Sequence, residues 1–521
     1  MLLVALALSV LLQGDTPPPT QALPWSPVPS PHWTPSSARH LLDRAGFGGP
    51  PAEVYRLFAL GPEGAVDALL GEAIPPQVDD AFIPRPIQRD YRAARREVDE
   101  AADEMDMKAM RKEARKGDNQ QTDEYRQFWL QQMVAGDTPA REKLALFWHG
   151  HFTSSIREVR DSYAMIRQIE LFREQGLSSF ADLLHQVSLD PAMLAYLDND
   201  KNKKGAPNEN FAREVMELFT MGPGHYTEQD IHEAARAFTG WKPDKTTGDA
   251  RFFKNRHDKG PKTFLGRTGK LDAGDVLDIL LEQPATAEHL VTKLWEFYAY
   301  PDPEPELVAA LAAGFREDGY QLRPLLRRVL LSQAFHARQA RAALFKSPVE
   351  FVVSTVRRLE LEPPPGRFMA SACEQLGQEL LGPPNVKGWE GGETWISAST
   401  LFQRSNIAGL MLDGVDRRWY RSDEGKAMRK TLPTDIKLLR GWSSGLEPAA
   451  LLARDATPAM AVGTLCDRLL PVAPSAATFE QLVTHVAPFG PDAFYPGQEE
   501  TDALLAECVH LILSLPEYQL N

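Results

Sequence analysis

The chain has 521 residues, 43% of them hydrophobic, which is length and apolar content enough for one large domain or roughly two to three ordinary ones. Its formal net charge of -14 and pI near 5.4 leave no basic field to hold a phosphate backbone, which argues against nucleic acid as a partner. Three cysteines at wide spacing, Cys373, Cys466 and Cys508, exclude a disulfide scaffold and a thiolate zinc site; a Cys466–Cys508 bridge competes with three buried, reduced thiols.

The first residues, MLLVALALSVLLQG, form an apolar run of about a dozen residues, the length of a secretory h-region and short of the roughly 20 that span a bilayer. They predict a signal peptide over residues 1–22 and a product that is periplasmic or extracellular, with no stable membrane span. Residues from Asp15 to Ser37 are rich in Pro and Ser and predict an extended, poorly packed linker, 23–37 in the mature chain. After it almost every segment has helical periodicity, so the expected fold is mainly α, a large multi-helix globular body. Its core is expected over 38–410, with a C-terminal helical extension of the same or a second small domain over 411–521.

Arg89 to Gly117 carries mixed charges with few apolar residues and predicts a solvated helix. Thr227 with Asp230, and Ser347 with Pro348 and Glu350, are helix starts, while Leu290, Leu294 and Phe297 make an apolar stripe ahead of Pro301. Ala250 to Gly269 is the one strand-like stretch: two short runs flank Lys259, Gly260 and Pro261, predicting a small β-hairpin whose turn carries His257, Asp258 and Lys262 away from the helices. GWEGGETW lacks the Lys and spacing of a phosphate loop and has no βαβ surroundings, so ATP or NAD use has no support.

Polar residues concentrate in LDNDKNKKGAPNENFAREVMELFTMG. Asp198, Asp200, Asn202 and Glu209 match positions 1, 3, 5 and 12 of an EF-hand loop, but Lys203 replaces the turn glycine and Pro207 stiffens the loop. On the following helix Asn210, Glu214 and Glu217 share a face, beside Arg213, which can pair with Glu209. Neighbouring carboxylates repel unless a cation or shared proton intervenes, which suits metal ligation or acid/base work; a solvated face stabilised by Arg213 explains them equally well. In WHGHF an extended exit from the helix sets His149 and His151 on one side, as paired imidazole ligands require, against the commoner packing or capping histidines. His257 and Asp258 add an imidazole and a carboxylate, Lys262 a cation for an anionic group, or else all three decorate a polar turn. Asn385 to Trp395 is a Gly-rich loop with two indoles, Trp389 and Trp395, of the kind that holds sugar rings, or else a pair of core anchors.

Taken together, WHGHF, LDNDKNKKGAPNENFAREVMELFTMG, FTGW, HDKGPKTFLG, KSPVEF and PPNVKGWEGGETW resemble the bacterial family known as domain of unknown function 1800, from about His40 to Asn406. The resemblance implies an exported, mainly helical protein, often encoded beside a secreted sulfatase-like protein, and assigns no residue a role.

Two functions are expected from these residues. The first is a metal-assisted hydrolase of envelope or environmental polysaccharide. Its divalent metal would sit on His149, His151, His257 and Asp258, Glu214 and Glu217 with Lys262 would do the chemistry, and Arg213, Asn385 and Trp389 would hold substrate. The second is a non-catalytic carbohydrate-binding or assembly protein working with a secreted sulfatase-like partner.

Overall fold

The computed structural model describes residues 23–71, 104–244, 247–413 and 436–521; the expected signal peptide and the first part of Arg89–Gly117 lie outside the described residues. The described residues are mostly helical, with two two-stranded antiparallel sheets among them. Among the described residues no helix is long and apolar enough to cross a membrane.

Ten helices carry the argument. In chain order they are α1 (Pro35–Ala45), α2 (Glu104–Ala135), α3 (Pro139–His151), α4 (Ser162–Gln175), α5 (Asn210–Glu214), α6 (Glu228–Ala237), α7 (Pro284–Tyr298), α8 (Pro348–Leu359), α9 (Ala398–Asp413) and α10 (Glu499–Ser514). Local chemistry sets their starts. Thr34 accepts the Ser37 N–H at 3.1 Å, and both Thr227 with Asp230 and Ser347 with Glu350 form the reciprocal capping boxes read from the sequence. Within α2 residues 112–117 are helical and exposed, and burial begins with Gln121 and Thr122 and continues through Tyr125, Trp129 and Leu130. The Leu290 and Leu294 stripe of α7 is fully buried.

Helices α3 and α8 are buried along almost their whole length and form the centre. Polar side chains inside α3 therefore need partners. Arg173 of α4 clamps Glu142 with Nε–Oε2 at 2.9 Å and Nη2–Oε1 at 2.8 Å, both side chains 1% exposed, while the Trp129 indole donates to the same carboxylate at 2.8 Å. One residue on, Lys143 is ion-paired to Glu350 of α8. Burial alone would lower the Arg173 guanidinium, but Glu142 offsets this and holds its pKa above the ordinary value.

Residues 23–37 are not a free linker. Val28 donates its N–H to Leu331 O at 2.7 Å, Gln333 donates to Ser26 O at 2.8 Å, and the Trp33 indole reaches Phe58 O at 3.1 Å. Proline content disfavours helix but leaves carbonyls and an indole free to dock on a neighbouring surface. The C-terminal region also belongs to the main body: the Thr355 and Tyr518 hydroxyls lie 2.7 Å apart, and Lys346 donates its backbone N–H to Gln519 O at 2.8 Å. All three cysteines are free and buried.

The strand pairing differs from the simple expectation. A hairpin lies within 250–269, but its strands are Lys262–Phe264 (β3) and Arg267–Gly269 (β4), turning through Leu265 and Gly266. Ala250–Phe252 (β2) pairs instead with Trp241–Pro243 (β1), opposing Trp241 to Phe252. The tight two-residue turn and the Trp241–Phe252 ring contact, 5.2 Å between centroids, choose these partners over one another's.

Removing one side of the clamp leaves a carboxylate buried without its cation. Arg173→Met is expected to destabilise the fold by about 3–5 kcal/mol, read as a lowered denaturant midpoint. Glu142→Gln with Arg173→Met should recover part of the loss; an unchanged midpoint in Arg173→Met would show that the clamp is dispensable.

Candidate functional site

Helix α3 continues through His151, with Phe152 N–H closing on Trp148 O at 2.7 Å, so the expected extended exit after Gly150 does not form. At 100° per residue the two imidazoles point about 200° apart. His149 is buried against Trp129 and stands edge-on to Trp389, centroids 5.2 Å apart. Its Nε2 accepts the Leu381 N–H at 3.0 Å, which places the proton on Nδ1, and burial with nearby Arg126 lowers its pKa to about 3. His151 stacks on Phe147 at 5.7 Å, and its Nε2–H donates to Phe219 O at 3.2 Å. Burial, then the charges of Lys293 and His289, hold it neutral.

Between the two histidines the backbone of Gly150 meets a second glycine. Gly388 of the Trp389 loop, at φ 80°, lies so close that a Cβ there would stand 2.5 Å from Gly150 O. Two sequence motifs thus meet backbone to backbone. Leu381 opens this loop in the left-handed region at φ 61°, a conformation a leucine adopts only when held. Its N–H is bound by His149, and its carbonyl accepts the Ile156 N–H at 2.8 Å.

The acidic motif is an asparagine staple. Asn202, 1% exposed, donates to Asn199 Oδ1 at 3.0 Å and Ala235 O at 2.8 Å and accepts the Asn208 N–H at 3.0 Å. Asn208 donates to Asp198 O at 3.0 Å, and Asn210 to Leu197 O at 3.2 Å. Asp198 pairs with Lys201 at 2.6 Å and Glu209 with His232 at 2.9 Å, so the EF-like oxygens are turned to separate partners. Arg213 forks onto Glu228 at 3.0 and 2.7 Å rather than onto Glu209.

Helix α5 runs on as a π-helical segment, Val215–Thr220. Its late carbonyls are capped from outside: Phe219 O by His151, and Leu218 O by the Nε2–H of His289 on α7 at 3.2 Å. Glu214 and Glu217 lie in each other's field. Glu214 is raised by burial and then by Glu217, with Arg213 and Lys387 opposing, while Glu217 accepts the Tyr226 hydroxyl at 2.9 Å.

The His257 group stands apart. Its Nδ1–H donates to Thr239 O at 2.9 Å; Asp258 pairs with Arg236 at 2.9 Å, and that hydrogen bond lowers its pKa to about 2. Lys262, 2% exposed, is spent on the backbone carbonyls of Asp258 and Leu271, each at 2.7 Å, and cannot also hold a substrate anion. The contacts of His149, His151 and His257 share no residue. Among the described residues no three His, Cys, Asp or Glu side chains come together in a way that could hold a metal ion, because helix α3 diverges its imidazoles and Asp258 is committed to Arg236.

What the structure does bring together is a cavity of about 640 Å³ against α3, α7 and the Trp389 loop, lined by Phe147, His151, Lys293, Phe297, Trp389 and Trp395 among others. Lys387 lies on its wall and links it electrostatically to Glu214. Asn385 is exposed and turns its Oδ1 to the Lys387 N–H at 2.8 Å. The apolar reading of α7 missed Lys293 and Glu296; the polar positions 289, 293 and 296, one turn apart, are the signal that could have found them. A smaller cleft of about 270 Å³ beside Arg126 and Glu379 is a satisfied ion-pair site, Arg126 Nε donating to Leu380 O at 2.7 Å.

Two measurements follow. A neutral His149 is required to accept from Leu381, and its folded pKa near 3 lies below the ordinary 6.5, so the unfolded chain binds more protons between these values. Stability is then full above about 6.5 and is lost as pH falls toward 3, by on the order of a few kcal/mol. His289 and His336, each lowered to about 4, act in the same window. Denaturant melts from pH 7.5 to 4 should show this slope, reduced in His149→Gln; an equal slope would remove His149 from the account. Calcium at roughly millimolar concentration should leave the melting temperature unchanged, and a shift abolished by Asp198→Ala would overturn the staple.

Comparison with curated proteins finds no match, and comparison with solved structures finds none. A family model described as "Protein of unknown function (DUF1800)" matches residues 40–520, beyond the Asn406 at which the sequence motifs end and through α10 to the C-terminal turn. The chain belongs to the DUF1800 family over nearly its whole length.

Proposed function

We propose that this chain binds a saccharide in the cavity between α3, α7 and the Trp389 loop, as an exported carbohydrate-binding protein. The observation that carries the reading is the lining. Two indoles and two phenyl rings, Trp389, Trp395, Phe147 and Phe297, face a space of about 640 Å³, in the size range of small-ligand sites, with charged groups between them. Aromatic faces stack on the apolar faces of sugar rings, and the polar groups between them meet hydroxyls. Envelope or environmental polysaccharide is the substrate class of this proposal, and a secreted sulfatase-like protein its companion.

A second reading, hydrolysis, is favoured by one observation. Glu214 is half-buried beside Glu217, burial and then Glu217 raising its pKa in the direction a general acid needs, and Lys387 on the cavity wall lies in its field. In this reading Glu217 would be the base.

Glycan-array screening of the full exported chain, followed by calorimetry on the hits, tests both. Trp389→Leu and Phe297→Leu are each expected to weaken binding about tenfold or more with unchanged helical content. Phe297 sits away from the His149 contact and guards against a folding artefact. New reducing ends that vanish in Glu214→Gln would favour hydrolysis; binding without turnover favours the carbohydrate-binding protein. Binding that survives both aromatic changes would place the saccharide elsewhere.

A further inference from the structure

We infer that the saccharide is an acidic one, and that Lys293 selects it by pairing with its oxyanion. This rests on the cavity being the saccharide site. The wall carries two lysines, Lys293 and Lys387, against four glutamates, Glu296, Glu350, Glu390 and Glu393, so a bare count favours a cation. The partners of each group reverse that result.

Glu350 is consumed by the fold: Lys143 pairs with it, the Ser347 N–H donates at 2.7 Å and the Asn521 amide at 3.0 Å. Glu296 accepts a backbone hydrogen bond from Asp302 and makes no ion pair with Lys293 within 4 Å; burial and then the Asp302 charge raise its pKa, with that hydrogen bond and Lys293 opposing. Glu390 and Glu393 are exposed on the loop, where water screens them, and Lys387 is exposed with Glu214 in its field. Lys293 is different. It is half-buried and makes no hydrogen bond and no ion pair within 4 Å among the described residues, Glu296 being its one attractive neighbour.

Among the described residues the surroundings of Lys293 supply no other anion. His151 and His289 both feel its charge and are held neutral, their Nε2–H groups committed to the Phe219 and Leu218 carbonyls. An ammonium drawn partly out of water with no ion pair within 4 Å among the described residues is under-satisfied, and a carboxylate or sulfate ester brought by the ligand would give it a charge-assisted hydrogen bond. A sugar ring on the aromatic wall would then present its oxyanion to α7. A neutral sugar gains only the stacking.

The test is calorimetry of the full chain with three oligosaccharides of equal length: a galacturonate, a sulfated galactan and a neutral galactan. At least one acidic oligomer is expected to bind about tenfold tighter than the neutral one, and the preference should shrink as salt rises. Comparing carboxylate with sulfate identifies the oxyanion. Lys293→Gln should erase the preference and leave neutral binding intact, whereas Lys293→Arg and Lys387→Gln should keep it. Because Lys293→Gln removes a desolvated charge, its melting temperature should not fall. Equal affinity for acidic and neutral oligomers in the parent, or a preference that survives Lys293→Gln, overturns the inference while leaving the saccharide site standing. Absence of binding to all three overturns both.

Discussion

The pair of buried ionic contacts at the start of α3 is the constraint on which the rest depends. Glu142 is clamped to Arg173 of α4, and Lys143 is paired with Glu350 of α8. Adjacent residues on a helix point about 100° apart, so these two contacts tie α3 to different neighbours and fix both its rotation and its height. Everything that shapes the cavity is then placed by the same helix two turns later. His149 holds Leu381 and the entry to the Trp389 loop, the Gly150 carbonyl lies where only a glycine, Gly388, can approach it, and His151 caps the π-helical end of α5. Buried ion pairs contribute little net stability against well-packed apolar residues, but unpairing them is costly, so their effect is to permit one arrangement.

Neutral imidazoles recur as connectors in this molecule. His149 accepts a backbone N–H, while His151 and His289 donate to backbone carbonyls, and each is buried enough to hold its uncharged form. A neutral imidazole offers one donor and one acceptor, which suits the loose ends of a helix that stops as a π turn and a loop entered through a left-handed leucine. The motif histidines are therefore explained by backbone satisfaction, and the chemistry of the site passes to the groups with no such duty. Lys346 extends the same economy of partners into the core: its ammonium donates to Tyr518 O at 2.7 Å and lies 3.6 Å from the centre of the Tyr518 ring, tying the C-terminal turn to the start of α8.

The asparagine-rich loop shows how a dense polar motif can be structural. An amide side chain carries both donors and an acceptor, so Asn199, Asn202, Asn208 and Asn210 build a network that needs no ion. Carboxylates in the same places would repel one another. The loop in turn sets the start of α5, and with it Glu214 and Glu217.

Interactions within one turn of chain were legible in the sequence, because they depend on neighbours only. The capping boxes at Thr227 and Ser347, the buried stripe of α7, the exposed charged turn of α2, the mainly helical class and the family motifs are all of this kind. What required the tertiary structure was the assignment of partners. Whether α3 ends before or after His151, whether β2 meets β1 or β3, whether Lys262 faces a ligand or three carbonyls, and whether 23–37 hangs free or docks all turn on surfaces distant in sequence. Lys293 is the plainest case. Its neighbours along the helix mark it as one more solvated lysine, and only the folding of α3 and the Trp389 loop over α7 takes it half out of water with no ion pair among the described residues, because desolvation is a property of the assembled surface and not of the residue.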